Sequence, residues 1–352
     1  MGIFEKKVYG TTADNEEVAQ FILKNKNGME LRVIEYGGII THLFTPDKNG
    51  NLDDVVLGHD SLAEYEDSSF YLGALIGRYG NRIADGKFKL DGTEYILEQN
   101  NETNCLHGGS NGFHNRIWKG EQLETNSGVG LLLKYHSPEN EGNFPGAVDV
   151  EVSYFLTEDN ALEIEYKATP TAKTVLNLTQ HTYFNLSGLK EDILGHELTI
   201  NAQQFVPVDS LSIPLDSFAD VVDTPFDFTT PKLIGKDINA DHEQIKMGNG
   251  YDHTFIVQPD GNKLMNIATV THAESGRIME VLTTEPGVQF YSGNFLENTP
   301  KGKGSTANSY RSGLCLETQH YPDSPNRPDF PSTVVEAGEE YFTKTVYRFG
   351  AI

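Results

Sequence analysis

Between Val148 and Tyr154 the chain reads Val-Asp-Val-Glu-Val-Ser-Tyr, with apolar residues at every even position and polar ones between them. Asp159-Asn160 punctuates the run, and Leu162-Glu163-Ile164-Glu165-Tyr166-Lys167 repeats the alternation. Successive side chains of a strand point to opposite faces, so each run has one face for a core and one for water. Together they predict an antiparallel hairpin. Lys87–Leu90 and Thr93–Leu97 predict a second one, because Asp91-Gly92 between them supplies the positive φ angles of a tight turn. Glu340 to Phe349 has the same strand-like composition.

Helical periodicity is weak, and Ser61–Asp67 is the one short helix the pattern suggests. The 34 glycines suit many turns, and no repeat, low-complexity segment or linker interrupts the 352 residues. Many short strands without linkers predict one large all-β sandwich or closed sheet system. Polar loops such as Asn100–Arg116 and Asn298–Tyr310 are expected at its edges, where binding residues tend to sit.

Charge narrows the partners. Lys+Arg is 27 against 51 Asp+Glu, a formal net charge of −24. Such a chain repels phosphate backbones and anionic lipid, so neither a nucleic acid nor a membrane is expected, whereas a neutral ligand is compatible. No apolar run reaches transmembrane length. The opening MGIFEKKVYG lacks an apolar h-region, and Lys6 stands where a myristoylation motif wants Ser or Thr. Two cysteines, Cys105 and Cys315, make no disulfide framework and read as buried thiols in a reducing cytoplasm.

Several segments carry functional chemistry. Gly77-Arg78-Tyr79-Gly80-Asn81-Arg82-Ile83 sets two arginines and an amide among glycines. That is the donor–acceptor mix sugar hydroxyls need, or else a turn whose arginines cap carbonyls. In Asn104-Cys105-Leu106-His107-Gly108-Gly109 the glycines let backbone approach a ligand closely, unless His107 is a loop histidine bonded to a carbonyl. Cys105 and His107 could give a metal two ligands, but nothing nearby completes a set, so no metal is expected. If residues 176–184 form a strand, Asn177, Thr179, His181 and Tyr183 share a polar face opposite Leu176, Leu178 and Phe184. In Leu314 to Gln319, Glu317 shares a face with Cys315 and Gln319, where desolvation could raise its pKa, or else it is a surface glutamate on an edge strand. Asp252 and Gln289 could each hold two sugar hydroxyls. Each cysteine lies two residues before a site candidate, His107 or Glu317, so extended backbone would bring both thiols to the cleft, with inert packing the favoured alternative.

Taken in order, GRYGNRIADGKF, NCLHGG, NLTQHTYFNLSG, GYDHTF, EPGVQFYSGNFL, LCLETQHYPDSPNRPDFPS and AGEEYFTKTVYRF resemble the aldose 1-epimerase (galactose mutarotase) family over nearly the whole chain. The resemblance implies a single antiparallel β-supersandwich domain over residues 1–352, with very few short helices and no cofactor. It implies a free aldose such as galactose or glucose as the partner, and His181 as general acid with Glu317 as general base. Asn81, Arg82, His107, Asp252 and Gln289 stand at its sugar-contacting positions, with His107 an auxiliary of the acid–base pair. Tyr183, on the face of His181, joins the sugar-binding set. Unperturbed pKa values near 4.3 for Glu and 6.5 for His agree with that division of roles. Monomer and homodimer are both open. A non-catalytic sugar-binding protein, a hexose-phosphate epimerase and a glycosidase are the alternatives. The first has no need of His181 and Glu317 together, the second wants clustered Arg or Lys, and the third wants two carboxylates flanking one bond.

Overall fold

The alternating runs pair as their pattern predicts. In the computed structural model, which describes residues 2–123, 128–259, 263–296, 302–305 and 308–352, Val148–Thr157 and Ala161–Pro170 form an antiparallel hairpin with Val152 opposite Tyr166. Val148, Val150, Val152 and Tyr154 are buried, while Asp149 and Glu151 face water. The hairpin Lys87–Leu90/Thr93–Ile96 also forms, with φ of 48° at Asp91 and 82° at Gly92. The C-terminal segment becomes the strand Tyr341–Ala351, which lies in the middle of the largest sheet.

That sheet has nine strands in the order Lys119–Leu123, Gly128–Ser137, Val148–Thr157, Ala161–Pro170, Tyr341–Ala351, Arg277–Thr283, Met265–Thr271, Glu197–Ile200 and Lys232–Leu233. Two five-stranded sheets cover it. One is an N-terminal meander, Ile3–Thr11, Glu17–Lys24, Glu30–Ile34, Ile40–Pro46 and Leu52–Asp54. The other runs Ala219–Asp220, Gln204–Val206, Asp252–Ile256, Gly287–Tyr291 and Cys315–Gln319. Neighbouring strands in all three are antiparallel.

One continuous apolar core joins the layers. Leu131, Val152, Ile164 and Tyr347 of the large sheet meet Phe21, Leu31 and Val33 of the first cover and Phe255, Val288, Phe290 and Leu316 of the second. Two buried tyrosines tie the layers by hydrogen bonds. Tyr154 Oη donates to the Gly38 carbonyl at 2.8 Å, and Tyr347 Oη donates to the Leu316 carbonyl at 3.0 Å. The architecture is therefore the all-β antiparallel supersandwich that the motifs imply.

Two short α-helices occur among the described residues. Leu62–Glu66 is the predicted one, started by a capping box between Ser61 and Glu64. Glu243–Gly248 was not read from the sequence, because its N-cap is His242 rather than one of the Ser, Thr, Asp or Asn residues that announce a helix start. None of the described helices is long and apolar enough to cross a membrane. The 100–116 loop contains the two-residue strand Cys105–Leu106 paired with Arg82–Ile83. The 298–310 loop lies partly outside the described residues. Its 302–305 portion is pinned by Lys303, whose ammonium bonds Asp54 and the Thr41 carbonyl.

The two arginines of the glycine-rich segment part company. Arg78 is 2 % exposed and donates to Ser137 Oγ and to the carbonyls of Ser137, Pro138, Pro145 and Gly146. It is a structural cap of carbonyls, the bland alternative the sequence allowed. Arg78→Ala strips the guanidinium donor from the buried carbonyls of Pro145 and Gly146, and denaturant unfolding should show a loss of about 3 kcal/mol or more.

Acid should also weaken the fold. Burial holds His196 and His253 down at about 3, each with a second histidine adding to the effect. Both rings accept a backbone N–H, from Leu186 and Asp252 respectively. A depressed histidine makes the unfolded chain bind more protons below the ordinary value of 6.5. The melting temperature is therefore expected to fall as pH drops from about 6.5 towards 3, read by circular dichroism across that range.

Candidate active site

Strand parity sorts the second cover sheet into an apolar and a polar side. Asp252 pairs with Tyr291, Thr254 with Gln289, Gln289 with Glu317, and Tyr291 with Cys315. Phe255, Phe290 and Leu316 alternate with these and enter the core. The polar side bounds a cavity of about 310 Å³, at the lower end of small-ligand pockets. All eight residues expected from the sequence line it, namely Asn81, Arg82, His107, His181, Tyr183, Asp252, Gln289 and Glu317.

Glu317 lies on the edge strand of its sheet, yet it is 2 % exposed. The neighbouring strand Thr179–His181 places an imidazole against it, with His181 Nε2 3.6 Å from Glu317 Oε1. His181 belongs to a three-residue strand paired with Ala74–Ile76. This is shorter than the alternation of 176–184 suggested, and every residue from 174 to 187 is buried. The expected polar face therefore divides. His181 and Tyr183 reach the cavity, whereas Asn177 is a structural pin that donates to the Gly80 carbonyl and accepts from the His320 amide.

Left-handed backbone shapes the opposite wall. His107 has φ 54°, so parity with Cys105 is broken. Cys105 packs instead with Tyr79, Ile83 and Phe88, away from the cavity. The expectation that both thiols approach the cleft thus holds only for Cys315, whose Sγ lies 3.5 Å from His181 Nδ1. Glycine at 108 serves a different contact from the one expected, since a Cβ there would sit 2.2 Å from the Gly77 carbonyl oxygen. The close approach is between two loops rather than to a ligand.

Hydrogen bonds orient the polar groups. Asn81 N–H donates to His107 Nδ1 at 3.1 Å, so neutral His107 carries its proton on Nε2. Arg82 Nε donates to Asn101 Oδ1 at 2.9 Å, and Gln289 Nε2 donates to Asp252 Oδ1 at 2.7 Å. His107, His181 and Glu317 each offer an atom within 4.8 Å of the others, close enough for a metal. The amide on Nδ1 makes His107 a donor at its other nitrogen and works against metal ligation there.

Electrostatics overturn the argument from unperturbed pKa values. Burial, reinforced by Asp252, pushes Glu317 well above the usual carboxylate range, and Arg82 only partly opposes this. Burial, with His114 adding, holds His181 down to about 4. His107 is driven well below its ordinary value by burial and then by His181 and Arg82. Asp252 is raised by burial, against Arg82 and its bond from Gln289. The site disfavours charge on both members of the pair. This makes Glu317 a stronger base when ionised and His181 a stronger acid when protonated.

Ser69, Phe70, Tyr71, Asn101, Leu106, Tyr291 and Phe295 complete the lining and were not anticipated. Tyr291 was within reach, since it has the parity of Gln289 on the same strand. Tyr71 and Asn101 sit in irregular backbone, where no periodicity reports orientation.

Known proteins are similar to this chain over most of its length. The family model described as aldose 1-epimerase matches residues 19–348. A protein named galactose mutarotase from Bos taurus is 42 % identical over 322 residues, 91 % of each chain. One named aldose 1-epimerase from Escherichia coli K12 is 37 % identical over 338 residues, 96 % of each chain. Among solved structures, a galactose 1-epimerase from Lactobacillus acidophilus superposes with a TM-score of 0.87 at 26 % identity, covering 100 % of this chain and 99 % of that one. The chain belongs to the aldose 1-epimerase family.

Proposed function

We propose that this protein is a mutarotase that interconverts the α and β anomers of free aldohexoses, galactose first and glucose as a second substrate. The observation that carries this reading is the buried contact of His181 with Glu317, 3.6 Å apart inside a cavity whose other polar groups include the amides of Asn81, Asn101 and Gln289, the Arg82 guanidinium and the Asp252 carboxyl. Relatives named galactose mutarotase and aldose 1-epimerase support it. Across residues 1–352 the chain acts as one catalytic unit. Free, buried Cys105 and Cys315 favour a reducing compartment such as the cytoplasm.

Anomer exchange needs the ring opened, the C1–C2 bond rotated and the ring closed on the other carbonyl face. Glu317 takes the proton of the O1 hydroxyl while His181 Nε2–H donates to the ring oxygen. The step converts an ionised pair into an uncharged one, glutamic acid and neutral imidazole, which is the arrangement burial favours. Closure runs the transfers in reverse. His107 Nε2–H, oriented by the Asn81 amide, donates to the ring oxygen or a neighbouring hydroxyl. Asn81, Arg82, Asp252, Gln289 and the Tyr183 ring hold the remaining sugar surface. Arg82 is the one cationic side chain lining the cavity among the described residues, since Arg78 is committed to carbonyls. This favours a neutral sugar over a phosphorylated one.

His181→Asn and Glu317→Gln should each lower kcat by about 10²–10⁴-fold. The rate is read by polarimetry of freshly dissolved α-galactose, with unfolding checked separately. Wild-type rates in both folded variants would mean the pair is misassigned.

The pH profile is a further check. The active form carries one proton shared by the pair, and its limits belong to the pair as a whole. A second proton is added on the acid side, where His181 sits at about 4, and the shared proton leaves on the basic side, where Glu317 is raised. After subtraction of the spontaneous rate, kcat/KM should fall below about pH 4 rather than near 6.5. Asp252→Asn removes a cause of the Glu317 shift, so the basic limb should move to lower pH. An acid limb at the ordinary histidine value would contradict this account.

A further inference from the structure

Tyr71 holds a backbone conformation that bulky residues rarely adopt, with φ 55°. Strain of this kind persists only where the surroundings enforce it. The turn around it is fastened to the proposed acid's own strand: Ala74 N–H donates to the Tyr71 carbonyl at 3.0 Å, and Gly73 N–H donates to the His181 carbonyl at 3.0 Å. Core packing does not account for the side chain, which joins none of the hydrophobic clusters formed by the described residues. Its ring contacts are with three imidazoles. The centroid lies 4.7 Å from His107 and 4.7 Å from His114, both edge-on, and 5.8 Å from His181, stacked at 28°. Tyr71 also lines both the catalytic cavity and a second cavity of about 360 Å³ shared with Tyr36, Tyr65 and Asn115.

We propose that Tyr71 is a positioning residue, whose ring keeps His107 and His181 edge-on to each other at 5.3 Å and shields His181 from water in the second cavity. This rests on the roles proposed above for the two histidines. Shielding matters because burial is the largest influence holding His181 at about 4. Without the ring, the imidazole hydrates and drifts upward, and both histidines gain rotational freedom. The other groups around His181 are Glu317 and Cys315 from one strand, Tyr291 from the next and Tyr183 from its own segment, with His114 of the Phe113–Asn115 turn, which the Tyr71 ring also touches.

The test compares Tyr71→Phe, Tyr71→Ala and Tyr71→Gly in the full chain. Histidine ring resonances are titrated by NMR, and mutarotation of α-galactose is followed in parallel. Tyr71→Phe keeps the ring and should leave the His181 midpoint and kcat close to wild type. Tyr71→Ala should raise the His181 midpoint by about one pH unit or more and lower kcat by on the order of 10²-fold, with little change in KM. Glycine is at home at this φ, so Tyr71→Gly should melt no lower than Tyr71→Ala while losing as much activity. A folded Tyr71→Ala protein with an unchanged His181 midpoint and kcat would overturn the proposal. So would a Tyr71→Phe protein as impaired as Tyr71→Ala. If the midpoint moves as expected but the wild-type protein does not accelerate mutarotation, the functional reading fails and the shielding by Tyr71 stands.

Discussion

Glu317 stands on the edge of a sheet, where a glutamate would ordinarily reach water, and is almost sealed because the Thr179–His181 strand lies against it. Most of the chemistry of the cleft follows from that burial. A desolvated carboxylate is costly, a desolvated imidazolium likewise, and the two stand close enough to exchange one proton through a substrate. Asp252 deepens the effect on Glu317 and Arg82 limits it, so the groups proposed to hold the sugar also set the proton affinity of the proposed base.

The sandwich makes this burial affordable. Leu316 and Phe290 are anchored in the shared core, and Tyr347 bonds the Leu316 carbonyl from the opposite layer. The backbone under Glu317 and Gln289 is held from behind, so their side chains can be polar and poorly solvated without unravelling the edge. Loops supply the other wall with less regular geometry. Left-handed residues at Tyr71, Asn81 and His107 turn side chains inward where a strand would have alternated them.

Regular strands and their facing were legible, although Val148–Thr157 and Ala161–Pro170 run beyond the alternating stretches. The alternation of 148–154 and 162–167, the Asp91-Gly92 turn and the parity of Glu317 with Cys315 all rest on the period of two, which survives any tertiary context that preserves a strand. Irregular segments were not. Parity misplaced Cys105 because His107 is left-handed, and it made a long two-faced strand of 176–184 where a short, wholly buried one exists. Arg78 and Arg82, indistinguishable in a glycine-rich string, went to opposite fates because Arg78 faces a group of four carbonyls, whereas Arg82 bonds Asn101 at the cavity wall.

The sequence by itself determined the all-β class, the family resemblance and, through that resemblance, eight of the fifteen residues that line the cavity. Hydrophobic period and motif order are properties of the chain and need no partner segment. Only the tertiary structure decided the electrostatic state of those residues, the tautomer of His107 and the involvement of Tyr71. Desolvation, a donated amide proton and a ring stacked across a cavity all depend on segments far apart in the chain, and no local pattern reports their distance.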